Sequence, residues 1–288
     1  MKLLIVGCNG MLGTDMVIEA KKAGHEIRAV DFPGIDITKP QSIREIVAQA
    51  RPDAIINCAA YTAVDACETN AETALSVNAQ GPANLAAVAS ECGAFLVHYS
   101  TDYVFDGKKT SPYVESDPTS PLTVYGRSKL EGERLALECC KRTIVLRIAW
   151  LYGMTGTNFV KTIRSAAIKK AASGEPLRVV NDQWGTPTWT VPVCLQTLAL
   201  LPADRYGVYH ATCEGACTWF DFTVEILRQA GITAALEPCT TAEYPRPAPR
   251  PLFSVLENQR LKTVGLNRMP GWKEAFRGFV EAETAAVP

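Results

Sequence analysis

Residues 2–13, Lys-Leu-Leu-Ile-Val-Gly-Cys-Asn-Gly-Met-Leu-Gly, decide the fold of this 288-residue chain. The five leading residues make a short apolar run typical of a buried strand, and a helical pattern follows that ends at Gly24. Gly7 allows a tight turn, Gly10 lets the backbone approach a pyrophosphate, and Gly13 permits close packing of helix on strand. The N-terminus of that helix would then face the phosphates. The stretch therefore predicts the strand, loop and helix of a dinucleotide site.

The second predicted strand, residues 26–30, ends at Asp31. A carboxylate there can accept hydrogen bonds from the ribose hydroxyls of a dinucleotide. Asp31 could instead simply begin a turn toward Pro33 and Gly34. Arg28 argues for the other cofactor, since a nearby arginine could receive a 2′-phosphate. The sequence thus leaves the choice between NADH and NADPH open.

Strands and helices alternate through the first half of the chain. Strand patterns occur at 53–57, 95–99 and 143–147, with helical patterns at about 40–50, 70–91 and 126–140. This alternation predicts an α/β fold, a Rossmann-type doubly wound parallel sheet covered on both faces. Right-handed crossovers would place the loops after the strands along one edge. Gly7, residues 58–60 and residues 100–101 would then line a single crevice.

The pattern becomes less regular after Trp150. Shorter elements are predicted near 158–172, 178–180, 191–201, 206–209 and 219–230. We expect residues 1–150 to form an NAD(P)-binding domain and residues 151–288 mainly a smaller substrate-binding α/β lobe, with some segments returning to the first sheet. Alternating prolines keep residues 244–251 extended. This segment could be a disordered linker, but we expect an ordered loop over the site.

Thr101, Tyr125 and Lys129 point to redox chemistry on a ketone or alcohol. If a helix begins near Gly126, Tyr125 and Lys129 lie on one helical face, so the ammonium would sit beside the phenol. A positive neighbour favours the phenolate and moves the tyrosine pKa toward the working pH. A carbonyl oxygen held between the Thr101 and Tyr125 hydroxyls could take a proton from the tyrosine as a hydride reaches the carbon.

Composition excludes some other classes of protein. The net charge of −1 and the pI of 6.3 give no electrostatic signature of nucleic-acid or anionic-membrane binding. The chain goes straight into a strand without a leader, and we expect a cytoplasmic protein. The ten cysteines are scattered without a Cys-x-x-Cys pair. They are expected to be reduced and mostly buried, and no metal site is predicted from them.

Four segments carry a family resemblance along the whole chain. They are Asn-Cys-Ala-Ala-Tyr-Thr-Ala-Val-Asp at 57–65, His-Tyr-Ser-Thr-Asp-Tyr-Val-Phe at 98–105, Pro-Leu-Thr-Val-Tyr-Gly at 121–126 and Asn-Asp-Gln-Trp-Gly-Thr-Pro-Thr at 181–188. In order and spacing they resemble dTDP-4-dehydrorhamnose reductase. The resemblance implies an extended short-chain dehydrogenase that reduces the 4-keto group of dTDP-4-dehydro-L-rhamnose with NADPH or NADH.

The resemblance also implies roles for individual residues. Tyr125 would be the proton donor, Lys129 would bind the nicotinamide ribose and tune Tyr125, and Thr101 would assist. The expected cofactor-binding set is Gly7, Asn9, Gly10, Met11, Leu12, Asp31, Asp36, Ile37, Ala59, Ala60, Tyr61, Thr62, Tyr125 and Lys129. The expected set that binds the nucleotide sugar is Thr101, Asp102, Trp150 and Arg250.

Some positions depart from the family pattern. Asn9 stands where the family often has threonine, so the first turn could be hydrogen-bonded differently. Some members dimerise around magnesium held by two glutamates, and Asp15 and Val191 stand there in this chain. Valine cannot ligate a hard cation, so we expect no metal, and either a monomer or a homodimer. A related dehydratase would need a glutamate at Tyr103. An epimerase of the same fold, or a non-catalytic NADP-binding regulatory subunit, stays an alternative.

Several candidate residues also have a purely structural explanation. His98 and His210 lie in apolar strands. A buried histidine there more often forms structural hydrogen bonds in the core than acts as an acid or base. Trp150 could simply pack at the end of the fifth strand. Asp102 could cap a turn, and Arg250 could be exposed for solubility, although a guanidinium over the crevice could clamp a diphosphate.

Overall fold

The computed structural model describes residues 1–203 and 205–286. The strands are β1 (Lys2–Val6), β2 (Glu26–Val30), β3 (Ala54–Asn57), β4 (Phe95–Thr101), β5 (Thr143–Ile148), β6 (Leu151–Tyr152), β7 (Leu177–Val180), β8 (Trp184–Gly185), β9 (Thr188–Trp189), β10 (Gly207–His210), β11 (Cys217–Thr218) and β12 (Leu236–Cys239). The α-helices are α1 (Met11–Lys22), α2 (Pro40–Ala50), α3 (Val64–Cys67), α4 (Ala71–Leu75), α5 (Gly81–Cys92), α6 (Val124–Cys139), α7 (Phe159–Ser173), α8 (Thr190–Leu200), α9 (Trp219–Ala230), α10 (Gln259–Thr263) and α11 (Trp272–Ala285).

The main sheet has six strands in the order β10-β5-β4-β3-β1-β2, and every pairing in it is parallel. The order reverses between β1 and β3, which follow one another in space but are separated by β2 in the chain. That reversal creates the crevice in which such sheets bind dinucleotides. The predicted doubly wound parallel sheet is confirmed. Strand β10 comes from the second half of the chain and pairs with β5.

The apolar run of β1 is explained by burial on both faces. Leu3 and Ile5 point into the larger core cluster, whereas Leu4 and Val6 point into a second cluster with α2 and α5. Successive strand residues face opposite sides of a sheet, so a central strand with helices on both sides must be apolar throughout. The larger cluster also contains Phe276 of α11, so the two halves of the chain share one core.

The second half adds three small strand pairs, β6 with β9, β7 with β12 and β8 with β11. An aromatic cluster packs beneath them. Tyr152 contacts the rings of Phe222, Phe276 and Phe279 at centroid distances of 5.2–5.8 Å. The pairs of Tyr152 with Phe276 and Phe279 are edge-to-face. Such pairs stabilise a core by more than the burial of their apolar surface alone.

Most elements expected from the sequence are present, with ends shifted by one to a few residues. The predicted helix at 70–91 is instead α4, a π-helical segment (Ser76–Gln80) and α5. The short strands β6, β8, β9, β11 and β12 and the helices α3, α10 and α11 were not predicted. Among the described residues, no helix is long and apolar enough to cross a membrane.

Candidate active site

The glycine loop after β1 is shaped by two glycines that admit no side chain. Gly7 has φ +79°, and a Cβ there would lie 2.6 Å from the backbone nitrogen of Ala59. A Cβ on Gly13 would collide with the carbonyl oxygen of Gly7. The Thr14 hydroxyl donates to the carbonyl oxygen of Cys8 at 3.2 Å. The loop therefore passes close to β3 and leaves the N-terminus of α1 open toward the crevice, as a diphosphate requires.

One cavity of about 460 Å³ lies between the glycine loop and the end of β2. Asp31 is its central polar residue: its Oδ2 accepts the Asn9 backbone N–H at 2.7 Å and its Oδ1 accepts that of Phe32 at 2.8 Å. The predicted cofactor residues that line it are Gly7, Asn9, Gly10, Asp31, Asp36, Ile37, Ala59 and Ala60. Arg28 lies in a different depression with Lys2 and Arg51. Whether Arg28 receives a 2′-phosphate stays a prediction.

A neighbouring cavity of about 480 Å³ shares Gly10 and Ala60 with the first. It brings together predicted residues from distant parts of the chain, namely Met11, Leu12, Thr62, Thr101, Asp102, Tyr125, Lys129, Trp150 and Arg250. Tyr61 lines neither cavity. Its backbone N–H donates to Asn78 Oδ1 at 2.8 Å and its carbonyl accepts from Asn78 Nδ2 at 2.9 Å, so Tyr61 fixes the loop that carries Thr62.

Tyr125 and Thr101 meet because β4 ends where α6 begins. Thr101 is the last residue of β4, and Tyr125 lies in the first turn of α6, whose N-cap Thr123 accepts the Gly126 backbone N–H at 2.9 Å. A Cβ on Gly126 would collide with the carbonyl oxygen of Tyr103, so glycine lets the helix approach. Tyr125 is buried and lines the same cavity as Thr101.

The protonation of this pair differs from the expectation. Burial raises the pKa of Tyr125 above its ordinary value, whereas a neighbouring ammonium was expected to lower it. Lys129 Nζ donates to the Tyr99 carbonyl oxygen at 2.5 Å. Burial lowers the pKa of Lys129 to about 8, an effect that Glu133 opposes. Tyr125 therefore keeps its proton at neutral pH, which is the form that a proton donor needs.

Asp102 is a second buried acid beside the hydroxyl pair. Its Oδ1 accepts the Thr101 hydroxyl at 2.9 Å. Burial raises the pKa of Asp102 to about 6, and hydrogen bonds from Ser254 and Thr101 partly oppose this rise. Asp102 also lines the cavity.

Trp150 forms one wall of the cavity in an unusual conformation. Its φ is +47°, a region that bulky residues seldom occupy, and its ring stacks on Trp219 with centroids 3.4 Å apart and planes 4° apart. A Cβ on Gly185 would collide with the Trp150 ring. The stack, the backbone strain and the glycine together hold the indole at the cavity wall, where strained residues often have functional roles.

Arg250 reaches the same cavity from the proline-rich segment. Its guanidinium pairs with Asp65 Oδ1 at 2.9 Å and donates to the Ala248 carbonyl oxygen at 2.7 Å. The Ala248 backbone N–H donates to the same Asp65 oxygen at 3.1 Å. Asp65 thereby fastens the loop, so that Arg250 and Pro251 line the cavity.

The profile of the family described as the RmlD substrate binding domain matches residues 1–285. A dTDP-4-dehydrorhamnose reductase of Streptomyces griseus is 40% identical over 280 residues, which cover 95% of this chain and 91% of that protein. The chain belongs to the dTDP-4-dehydrorhamnose reductase family. The predicted family resemblance is confirmed.

Solved structures of the dTDP-4-dehydrorhamnose reductase family superpose closely. One from Clostridium acetobutylicum is 42% identical with a TM-score of 0.95, covering 99% of this chain and all of that one. One from Bacillus anthracis, in complex with NADP, is 36% identical with a TM-score of 0.92, covering 97% of this chain and 99% of that one. The fold that positions the two cavities is thus that of this reductase family.

Some cavity residues of this family member were not predicted. Tyr103 lies edge-on to Tyr125 with ring centroids 5.6 Å apart, and Trp219, Gln183, Ser254 and Phe32 also line the two cavities. In the sequence, Tyr103 stands out only because a related dehydratase would need a glutamate at that position. The Trp219 ring is fixed by its Nε1–H, which donates to Gln183 Oε1 at 3.2 Å. In the sequence, Gln183 is indicated only by the family resemblance of residues 181–188.

Asp15, one of the two positions compared with the family pattern, takes part in an internal hydrogen bond. The Thr190 hydroxyl, at the start of α8, donates to Asp15 Oδ2 on α1. Burial raises the pKa of Asp15, and the bond from Thr190 partly opposes this. Asp15 and Thr190 thus join the first helix to the second half of the chain.

Proposed function

We propose that this protein reduces the 4-keto group of dTDP-4-dehydro-L-rhamnose to dTDP-L-rhamnose, with NADPH or NADH as the reductant. The observation that carries the proposal is that Thr101 and Tyr125 line one cavity, which adjoins the glycine-loop cavity. Membership of the reductase family and the NADP complex of the relative from Bacillus anthracis support it.

The chain's own residues fit a dinucleotide. Gly7 and Gly13 leave a groove that any side chain would fill, the N-terminus of α1 faces it, and Asp31 supplies acceptor oxygens for ribose hydroxyls. Lys129 would hold the nicotinamide ribose. When bound, the nicotinamide supplies the hydride for the carbonyl carbon.

Tyr125 and Thr101 would then act on the carbonyl oxygen. The Tyr125 hydroxyl would donate to it, and the Thr101 hydroxyl would do so after leaving Asp102 Oδ1, which polarises the carbonyl; Tyr125 would transfer its proton as the oxygen gains negative charge. Because burial raises the pKa of Tyr125, the phenol stays protonated until the reaction begins. Developing charge on the substrate oxygen provides the driving force for the transfer.

The remaining cavity residues would hold the nucleotide sugar. Asp102 and Trp150 would contact the sugar, and Arg250 would bind the diphosphate with charge-assisted hydrogen bonds. The dTDP moiety would extend outward between the 181–188 segment and the proline-rich loop. The division at residue 150, the cytoplasmic location and the monomeric or dimeric state stay predictions.

The test follows the fall in NAD(P)H absorbance with dTDP-4-dehydro-L-rhamnose as substrate. Tyr125→Phe should lower kcat by roughly 10²–10⁴-fold, the usual contribution of a general acid, while the Kd for NAD(P)H stays near that of the parent. Tyr103→Phe is the matched control, because this neighbouring ring lies beside Tyr125 and should retain most of the activity.

Two outcomes would contradict the proposal. Turnover of Tyr125→Phe within a few-fold of the parent would remove Tyr125 as proton donor. Conversion of a nucleotide sugar without net NAD(P)H consumption would instead indicate an epimerase on the same fold.

A further inference from the structure

One face of the Trp150 ring is covered by Trp219. Trp150 lies between β5 and β6, and Trp219 begins α9. The two ring centroids are 3.4 Å apart and the planes are 4° from parallel. Because carbon atoms in contact are already about 3.5 Å apart, no other group fits between the two rings.

The opposite face of the Trp150 ring is covered by Gly185. A Cβ on Gly185 would lie 2.2 Å from Cε2 of Trp150 and 2.5 Å from both Nε1 and Cζ2, which are bonded to Cε2. Beside the ring, such an atom would be closer to Nε1 and Cζ2 than to the fusion carbon Cε2, so it would lie above the ring. It cannot lie between the two stacked rings. Gly185 therefore packs on the face that Trp219 leaves free.

An indole covered on both faces can meet a ligand only with its edge. The polar atom on the Trp150 edge is Nε1, whose N–H can only donate. Within the described residues this N–H has no hydrogen-bond partner, and it is accessible, since the buried polar atoms that lack a partner lie in other side chains. Trp150 lines the cavity of about 480 Å³. Its N–H is therefore a donor available to a ligand in that cavity.

Trp219 is itself held in place from two sides. Its Nε1–H donates to Gln183 Oε1 at 3.2 Å, and Gln183 Nε2 donates to the Thr241 hydroxyl oxygen at 2.9 Å. That hydroxyl in turn donates to Asp182 at 2.6 Å, so each group in the chain has a fixed role as donor or acceptor. The Phe159 ring packs against Trp219 with centroids 4.3 Å apart. The orientation of Trp150 thus depends on a braced neighbour.

We propose that Trp219 is a positioning residue for sugar binding: it holds Trp150 edge-on, so that the Trp150 indole N–H donates to an oxygen of the bound sugar. The proposal deepens the reductase function and rests on it for the identity of the sugar. A sugar cannot stack on either face of Trp150, because Trp219 and Gly185 cover both. The contact would select a sugar with an oxygen at this point, since a methyl group there would leave the N–H without an acceptor.

The first experiment tests the stack in the free protein. The chain has five tryptophans, so the indole signals of ¹⁵N-tryptophan-labelled protein can be assigned by NMR with single Trp→Phe variants. The ring current of Trp219 shields protons above its face, so the Trp150 indole N–H signal should move downfield in Trp219→Ala. Trp189→Phe is the control, because Trp189 lines neither cavity. A Trp150 signal that does not move in Trp219→Ala overturns the proposal.

The second experiment compares two ligands that differ only by the sugar. Calorimetry with bound NAD(P)⁺ gives the Kd of dTDP-L-rhamnose and of dTDP. Trp219→Ala should weaken binding of dTDP-L-rhamnose roughly 2- to 10-fold, the usual effect of one neutral hydrogen bond, and leave dTDP unchanged. Trp219→Phe keeps a flat ring for stacking and should restore most of the affinity. Trp189→Phe should change neither Kd.

A double-mutant cycle separates positioning from direct contact or general damage. If Trp219 acts through Trp150, Trp219→Ala should add little to the loss already caused by Trp150→Ala. In steady-state assays the KM for the keto sugar should rise while kcat stays near that of the parent, as expected for a contact made equally before and during the reaction. Additive losses of dTDP-L-rhamnose affinity overturn the proposal. Trp219→Leu serves as the second variant if Trp219→Ala does not fold.

The failure of this inference and that of the proposed function give different results. If the keto sugar causes no NAD(P)H oxidation but dTDP-L-rhamnose still binds more tightly than dTDP in a Trp219-dependent way, only the reduction is refuted. Normal reduction with additive losses refutes only the inference. A parent protein that binds dTDP-L-rhamnose no more tightly than dTDP also overturns the inference, since there is then no sugar contact for Trp219 to support.

Discussion

At the scale of single residues, Asp31 decides how the cofactor pocket treats a 2′-phosphate. Both of its oxygens accept a backbone N–H, from Asn9 and from Phe32, so the carboxylate is held in place. Asp36 adds a second acid to the same cavity, and Arg28 lies elsewhere. A 2′-phosphate placed there would face a fixed negative charge. Arg28 of β2, which could neutralise the phosphate, does not line this cavity. We therefore expect the pocket to favour NADH over NADPH.

Asp31→Ala should raise the ratio of kcat/KM for NADPH over that for NADH, because the repulsion is removed. A tenfold change corresponds to about 1.4 kcal/mol. The steady-state ratio with both cofactors is the measurement. Asp53→Ala is the control, since Asp53 accepts the Lys2 N–H at 2.7 Å and lines neither cavity. A ratio unchanged in Asp31→Ala would make Asp31 a turn residue.

The ionisation of Asp102 makes the free energy of unfolding depend on pH. Its pKa is raised to about 6 by burial, so the folded state holds the proton more tightly than the unfolded chain does. Below about pH 4 the acid is protonated in both states and the penalty is absent. The penalty grows as the pH rises through the folded pKa, and stability therefore falls with increasing pH over this window.

Asp102→Asn should accordingly gain stability relative to the parent as the pH increases. The difference between about pH 4 and about pH 8 is expected to reach roughly 2–3 kcal/mol at most. Urea unfolding of both proteins at the two pH values measures it. Activity should fall if Asp102 contacts the sugar. An equal stability difference at both pH values would show that Asp102 ionises without penalty.

At the scale of elements, the proline-rich loop carries both a fastening and a binding residue. Asp65 holds the loop through the Ala248 N–H and the Arg250 guanidinium. The same guanidinium is the cation expected to bind the diphosphate. The carboxylate and the substrate would therefore compete for Arg250.

Arg250→Ala should raise the KM for the dTDP-sugar by roughly 10- to 150-fold, the cost of a lost charge-assisted hydrogen bond, and leave the Kd for NAD(P)H unchanged. Asp65→Asn distinguishes the two roles, since it keeps an acceptor for Ala248 but releases Arg250. If Arg250 binds the diphosphate, Asp65→Asn should keep or lower the KM. A similar rise in both variants would mean that Arg250 only holds the loop.

The elements also show what the sequence could predict. Strands such as β1 and β3 can be predicted because burial on both faces forces a continuous apolar run, and α6 because a helical pattern runs over about 126–140. The two-residue strands β6, β8 and β9 carry too few residues for any periodicity. The stack of Trp150 on Trp219 joins residues far apart in the chain, so no local pattern could predict it.

The protonation state of the site was beyond sequence reasoning for a similar reason. The spacing of Tyr125 and Lys129 placed both on one helical face correctly. Burial is the largest influence on both pKa values, and only the folded structure buries these two side chains. Long-range contacts of this kind decide the chemistry more than the local motif.

At the scale of the whole molecule, the two halves depend on each other. The larger core contains Leu3, Ile5 and Met16 from the first half together with Val193 and Phe279 from the second. Strand β10 covers the outer edge of β5, and the bond between Thr190 and Asp15 joins α8 to α1. An exposed sheet edge and a bare apolar face are both unfavourable in water.

A fragment of residues 1–150 should therefore fail to fold into a stable NAD(P)-binding unit, even though it contains the glycine loop, Tyr125 and Lys129. The intact chain should unfold in one cooperative transition. NADH at about 100 times its Kd should raise the free energy of unfolding by about 2.7 kcal/mol. Calorimetry of the intact chain, and circular dichroism with cofactor titration of the fragment, measure these properties. A fragment that binds NADH as tightly as the parent would show that the first half is autonomous and that the shared core serves only to attach the substrate lobe.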